Sequence, residues 1–471
     1  MKVNELLTLE VVDLALGGKA LARHEGRAVF LDRGLPGDTV RARVSRVKPG
    51  WAEARLLGVE SPSPLRIEAP CPHFRARQCG GCSFQDLRYE EQLAAKQRQV
   101  RDTLVHLGGI AAPDVRPIRP APEQTGYRNK MEFSFHPGAD GPVVLGLHER
   151  GTFDRVFEIE TCLLPSALTL EIVRRTRDFA RAHAWSAYDP RAHTGVARYL
   201  TVRHLPHVAQ CAVHLVAASD ELAGLDEWAR SVAALSGEVR TVTLLLNRSR
   251  ANIASGDEER VLHGDGVIVE RLLGLEFEAT ANAFLQTNSR QAEALYAAAL
   301  EAAALEGRET ALDLYCGTGT LTLLLARRAG LAVGVESVGD AVARARRNAA
   351  RNGITNARFV EGESRPVLRE WARGERPAPW PAAAPPPRVV VVDPPRAGLH
   401  PRVVARISEL QPERVVYVSC NPATLARDVK DFALAGWRLA EVTPFDMFPH
   451  TPHIECVARL ERASGGAPRP A

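Results

Sequence analysis

From about Ala279 to Leu460 the chain alternates short apolar, β-branched runs with amphipathic stretches, several of which end at a glycine. Helix Arg290 to Glu306 stops at Gly307. Strand Thr310 to Tyr315 runs into Cys316-Gly317-Thr318-Gly319-Thr320, helix Leu321 to Arg328 stops near Gly330, and strand Ala332 to Glu336 follows. The alternation continues through helix Asp340 to Arg351, strand Ala357 to Val360, helix Pro366 to Trp371 and strand Val389 to Asp393. Helix Pro401 to Leu410, strand Val415 to Ser419 and helix Ala423 to Ala433 precede a closing hairpin, Leu439 to Thr443 with Ile454 to Leu460. Parallel neighbours require a crossover, usually a helix, so this rhythm predicts a doubly wound α/β sheet. In such a sheet, ligands and reacting groups collect at the carboxyl ends of the strands.

The remaining chain cannot share that core, because 471 residues exceed what one hydrophobic core serves. Residues 1–62 carry short apolar runs divided by Gly17-Gly18, Gly34, Pro36-Gly37 and Pro49-Gly50, the punctuation of a small five-stranded, OB-like barrel. Its Lys19, Arg23, Arg41, Arg43, Arg46 and Lys48 could face RNA phosphate, or with the interleaved acidic residues form a solvated β surface. Residues 63–278 read as a mixed α+β central domain with one helix, about Leu168 to Ala184, and an amphipathic helix at about 88–108 that packs on the α/β domain of residues 279–463. In the strand from Tyr127, Arg128 and Lys130 alternate with Tyr127, Met131 and Phe133, which allows a basic and aromatic face. The Pro- and Ala-rich insert Glu375 to Arg388 reads as a surface linker, and 464–471 as a disordered tail.

A net charge of +4 is compatible with a nucleic-acid partner without demanding one. The amino terminus has Glu5, Glu10 and Asp13 and no long apolar core, and no stretch is apolar for the length of a bilayer. We expect a cytoplasmic, monomeric protein without membrane contact. Of its eight cysteines, three crowd into Cys71 to Cys82, with Cys79 and Cys82 flanking Gly80-Gly81. Glycines let the chain fold tightly enough to aim two thiolates inward, and Cys162 is the plausible fourth ligand. Zinc and an iron-sulfur cluster both fit such a set. Cys211 and Cys456 read as core residues.

Gly317 and Gly319 follow a strand directly, and Glu336 ends the next strand, where a carboxylate accepts hydrogen bonds from ribose hydroxyls. NAD and S-adenosylmethionine both suit this pair of features, although this loop lacks the third glycine that the dinucleotide fingerprint needs. The next signal is Asp393-Pro394-Pro395-Arg396. Methyltransferases acting on amino groups have an aromatic residue where Arg396 stands, so an amino acceptor is disfavoured. Cys420 ends the following strand and Glu455 lies on the closing hairpin beside the same sheet end. A thiolate added to carbon 6 of uracil makes carbon 5 nucleophilic, and a base must then remove the carbon 5 proton. Cys420 would be the nucleophile and Glu455 the base, with Asp393 on the polarised ring edge.

The motifs FLQTN, DLYCGTGT, VGVE, DPPRAG, SCNPATLARD and FPHTPHIE together resemble those of the RNA 5-methyluridine methyltransferases, the TrmA, RlmC and RlmD group, over essentially the whole chain. The resemblance implies a Rossmann-like methyltransferase domain that uses S-adenosylmethionine. It implies that Gln286, Tyr315, Gly317, Gly319, Thr320, Glu336, Glu363 and Asp393 contact that cofactor, and that Phe284 packs by the target base. Glu363 replaces the more usual Asn or Asp. Residues 1–62 look like a TRAM domain, and Cys71, Cys79, Cys82 and Cys162 look like the family's 4Fe-4S ligands, although the gap between Cys71 and Cys79 is wider than usual. Both features resemble the branch acting on 23S rRNA, with tRNA as the alternative substrate and a non-catalytic RNA-binding factor as the distant one.

Overall fold

The computed structural model describes residues 1–138, 141–375, 379–381 and 384–463, so the expected tail lies outside the described residues. Strands β1 (Leu6–Leu14), β2 (Ala20–His24), β3 (Arg27–Leu31), β4 (Thr39–Lys48) and β5 (Trp51–Ser61) close into a barrel of order β1-β2-β3-β5-β4. Strand alternation does the sorting: β4 buries Val40, Ala42 and Val44 and exposes Arg41, Arg43, Arg46 and Lys48. Closure also removes the strand edges that would otherwise invite aggregation.

Two helices follow, α1 (Pro72–Arg75) and α2 (Tyr89–His106). The central region then builds β6 (Lys130–His136), β7 (Val144–His148), β8 (Val156–Glu158), α3 (Ala167–Ala182), β9 (Ala197–Leu205), β10 (Gln210–Ala217), α4 (Leu225–Ala233), β11 (Val239–Leu246) and β12 (Glu258–His263). Its seven strands run in the order β12-β11-β10-β9-β6-β7-β8. Helix α4 is an addition to the single helix expected here, formed because Leu225, Trp228, Ala229 and Val232 share one buried face. The basic and aromatic face expected around Tyr127 does not form: Tyr127, Met131 and Phe133 are buried in the core, and only Arg128 and Lys130 remain half-exposed. A hairpin, β13 (Ile268–Leu272) and β14 (Leu275–Ala279), leads out.

The last unit comprises α5 (Ser289–Ala303), β15 (Thr310–Leu314), α6 (Thr320–Ala326), β16 (Leu331–Glu336), α7 (Gly339–Arg351), β17 (Ala357–Glu361), α8 (Ser364–Ala372), β18 (Pro387–Val392), α9 (Pro401–Glu409), β19 (Arg414–Ser419), α10 (Pro422–Leu434), β20 (Trp437–Phe445) and β21 (Glu455–Arg462). Strand order is β17-β16-β15-β18-β19-β21-β20, with only the last two strands antiparallel to their neighbours. The order reverses between β15 and β18, which opens a crevice above their carboxyl ends. Helices cover both faces, so β18 is apolar from Val389 on: Val389 and Val391 enter one core and Val390 and Val392 the other. Part of the proline-rich insert is packed as well, since Trp380 is buried against Trp371. A surface linker is therefore only a partial description of it.

Helix α2 ties these parts together. It packs on α10 and β20 as expected, and Gln99 on the same helix donates Nε2 to the Leu14 carbonyl of the barrel at 2.8 Å. The chain after α2 then runs along the outer edge of β20, with Arg116 N and Arg119 N donating to the carbonyls of Val442 and Pro444.

Candidate active site

Cys420 occupies the single position between the end of β19 and the cap of α10. Asn421 Oδ1 accepts from Ala423 N at 3.1 Å, and Pro422 starts the helix, so the turn is set by capping chemistry. Asn421 Nδ2 also donates to the Arg396 carbonyl at 3.2 Å, which ties this turn to the DPPR turn after β18. Strand β21 lies antiparallel to β19 with Ser419 opposite Cys456. One step further, this register brings Glu455 to the level of Cys420.

These groups also perturb one another electrostatically. Burial, helped by Glu455 and Asp393, pushes the Cys420 thiol up to about 11, while Arg396 pulls it down. Burial and Asp393 raise Glu455 to about 8, again against Arg396. Desolvation alone raises Asp393 to about 7. Three acids and one guanidinium thus share a space that disfavours charge. Arg396 is the member that sequence reasoning missed, having treated it only as a missing aromatic; a cation placed just past a strand's carboxyl end was the available signal. His453 is held neutral here too, lowered to about 4 by burial and by Arg396.

The loop after β15 supplies a second half-site. Tyr315 adopts φ 65° and its hydroxyl meets Ser364, which draws the start of α8, and with it Glu363, toward the loop. Glu363 itself is exposed and makes no capping hydrogen bond. Glu336 Oε2 accepts from Gly317 N at 3.1 Å, and its Oε1 accepts from Ser337 N at 2.7 Å and Val338 N at 2.9 Å, so the carboxylate is held at the strand end. The two glycines differ. A Cβ on Gly317 (φ +54°) would meet nothing within 4 Å, leaving room for a ligand, whereas one on Gly319 (φ +86°) would lie 2.9 Å from Ala345 Cβ. Thr320, the first residue of α6, is buried. Gln286 is buried and bonded to Tyr296, which is close to both Asp393 and Glu455. Phe284, two residues earlier, is 71% exposed.

Phe284 also borders a cavity of about 400 Å³ whose walls include Cys71, Cys79, Cys82 and Cys162. All four are free thiols. Gly81 N donates to Cys79 Sγ at 3.3 Å and Gln85 Nε2 to Cys82 Sγ at 3.2 Å. Burial pushes Cys82 up to about 11 and Cys162 to about 12. The expected ligand set is nonetheless not closed: among the described residues, no group of three or more His, Cys, Asp or Glu side chains is placed to hold a metal ion. The thiols adjoin two packing environments, and Cys162 packs against both. Cys71 and Cys82 are buried with Phe74, Tyr127 and Leu164, while Cys79 sits against the core of the central sheet.

A methyltransferase-like crevice with a thiol and a carboxylate at its mouth narrows the comparison with known proteins. Residues 88–463 match the family model described as tRNA (Uracil-5-)-methyltransferase. The chain belongs to that family. Residues 2–57 match the TRAM domain, which is the closed barrel. An RNA methyltransferase of Nitratidesulfovibrio vulgaris is 42% identical over 460 residues, covering 96% of each chain. Another from Chlorobaculum tepidum is 39% identical, covering 98% of this chain and 97% of its own. Among solved structures, the tRNA (uracil-54, C5)-methyltransferase of Pyrococcus abyssi, in complex with S-adenosyl-L-homocysteine, is 30% identical with a TM-score of 0.75, over 96% of this chain and 99% of its own. The protein is thus an S-adenosylmethionine-dependent RNA (uracil-5-)-methyltransferase with a class I fold and an amino-terminal TRAM domain. Among the described residues no helix is long and apolar enough to cross a membrane.

Proposed function

We propose that the protein methylates carbon 5 of a uridine in 23S rRNA through a covalent adduct between Cys420 and the base. The observation that carries this reading is the register of β19 and β21, which sets Cys420 beside Glu455 with Asp393 and Arg396 in electrostatic reach. The uridine leaves its stack to enter the crevice, as bases must for chemistry on the ring, and Phe284 packs by it. Cys420 adds as thiolate to carbon 6, the π electrons move onto the exocyclic oxygen of carbon 4, and carbon 5 of the resulting enolate becomes nucleophilic. S-adenosylmethionine, when bound, supplies the methyl group that carbon 5 accepts. Gln286, Tyr315, Gly317, Gly319, Thr320, Glu336, Glu363 and Asp393 hold that cofactor, and the open space at Gly317 supports this assignment. Glu455 then takes the carbon 5 proton, the double bond reforms between carbons 5 and 6, and the Cys420 thiolate is expelled.

Protonation explains why these groups sit together. Burial holds the Cys420 thiol near 11, and Arg396 opposes that shift, favouring the thiolate that attacks. Glu455, held near 8, accepts the carbon 5 proton only in its ionised form, a fraction that grows as pH rises toward that value. The test is direct. A Glu455→Gln variant incubated with RNA and cofactor should accumulate an adduct that survives denaturation, and Cys420→Ala should form none. Full turnover by Cys420→Ala would sink the mechanism.

The four cysteines are read as ligands of a 4Fe-4S cluster, with zinc the less favoured occupant. Four free thiols around one cavity, two of them receiving N–H donors, support this. Held by Cys71, Cys79, Cys82 and Cys162, the cluster would brace the module beside Phe284. Anaerobic purification should give a protein absorbing broadly near about 400 nm; a colourless, zinc-loaded protein would overturn it. The TRAM barrel and the cysteines favour ribosomal RNA. The full-length likeness to an enzyme of tRNA uracil-54 favours transfer RNA as the second reading. Mapping 5-methyluridine in both RNAs from a strain lacking the protein decides between them. The division into residues 1–62, 63–278 and 279–463, and a monomeric cytoplasmic protein, belong to the same reading.

A further inference from the structure

Glu455 is the first residue of β21 and pairs across the hairpin with Phe445, the last residue of β20. The loop between them starts at Asp446, and there a charge from another part of the chain enters the core. Lys96, on α2, donates Nζ to Asp446 Oδ1 at 2.6 Å and lies within 3.2 Å of the Phe448 carbonyl. Its side chain is 1% exposed and that of Asp446 is 0%. Tyr89, the first residue of α2, also brings its hydroxyl to the Asp446 carboxylate, and Lys96 is the cation that compensates the buried charge. One turn earlier on α2, Gln92 Oε1 accepts from His450 N at 3.0 Å.

The loop is gripped from several other sides. His450 sits at φ 66°, and its carbonyl accepts from Ser83 N at 2.8 Å and Phe84 N at 3.1 Å, directly after Cys82. Asn288 donates Nδ2 to the Met447 carbonyl at 3.0 Å, and Asn288 belongs to the segment that bears Phe284 and Gln286. These neutral contacts fall inside the loop. At its base, Asp446 N donates to the Arg119 carbonyl at 3.0 Å, which holds the backbone. Among the described residues, the Lys96 pair is the ionic grip on the Asp446 side chain, next to the residue that faces Glu455. Burying a charged pair is costly and gives little net stability over an apolar pair of the same shape. A directional ammonium at this point does something an apolar residue would not, because it fixes the direction in which the strand leaves the loop.

Resting on the assignment of Glu455 as base, we infer that Lys96 is a positioning residue that aims Glu455 at the carbon 5 proton through its grip on Asp446. Nothing in this role touches the attack of Cys420, which is set by β19 and the Asn421 cap. Loss of the grip therefore slows release of the methylated RNA and spares formation of the adduct.

The experiment uses the full-length protein, S-adenosylmethionine and total RNA from a strain lacking the protein, following adduct and released methylated RNA in single turnover. Lys96→Met alone leaves Asp446 without its cation, so Lys96→Met/Asp446→Asn supplies a neutral pair that folds. The double variant should melt with the wild type and form adduct at its rate, yet release product about ten- to a hundred-fold more slowly, the range expected of a displaced catalytic group. Release at the wild-type rate, or adduct formation slowed by the same factor, overturns the inference. Glu455→Gln is the parallel control. If it retains the adduct while the double variant releases normally, only the role of Lys96 fails. If Glu455→Gln itself releases freely, the base assignment falls, and this inference with it.

Discussion

Cys420 and Glu455 are both held toward their protonated forms, and burial is the first cause in each. Arg396 is the one group opposing that effect on both, which makes it the residue whose removal has a signed consequence. Turnover should rise with pH as Glu455 ionises near 8 and the Cys420 thiolate population grows toward 11. An Arg396→Gln variant loses the charge that lowers both groups, so the rise in its pH profile should move to higher pH. Its rate at neutral pH should fall about ten-fold per pH unit of displacement. A profile of kcat against pH for the two proteins checks this, and an unmoved profile would show that Arg396 acts on neither group.

At the scale of elements, the two glycines of the loop after β15 serve separate ends. Gly319→Ala places a Cβ 2.9 Å from Ala345 Cβ and 3.0 Å from Phe359, at a φ of +86°. It should cost about 1–3 kcal/mol of stability, seen as an earlier urea midpoint. Gly317→Ala meets no atom within 4 Å, so it should cost less stability and more cofactor affinity, read by titration calorimetry. If the order is reversed, the ligand does not lie against Gly317. Helix α2 shows the same division between packing and placement. Its apolar residues Val100 and Leu104 join a core of the α/β unit, while Lys96 and Gln92 reach the hairpin loop.

Across the whole molecule, the barrel and the catalytic sheet meet at α2, and the outward basic residues of β4 lie on the barrel far in sequence from the chemistry. Replacing Arg41, Arg43 and Arg46 with Gln should weaken RNA binding and reduce the slope of log affinity against log salt by about 0.7–0.9 for each phosphate that is no longer neutralised, leaving kcat at saturating RNA unchanged. Unchanged salt dependence would place the RNA elsewhere. The barrel and the doubly wound sheet were legible in the sequence, and so was the proposal of Cys420 and Glu455 as the reacting pair, because strand and helix periods, turn glycines and short motifs are local and each is written within a few residues. Helix α4 was missed because its apolar stripe is short. Trp380 was misplaced because its surroundings are proline-rich, although its own side chain is buried. What only the tertiary structure decided were meetings between distant segments. Ser419 is set opposite Cys456, Arg396 comes within reach of both reacting groups, four thiols from two stretches come to one cavity, and Lys96 reaches Asp446. Such meetings depend on strand order and on how helices pack across the sheet. A periodic pattern records which face of an element is buried, and leaves open which residue it is buried against.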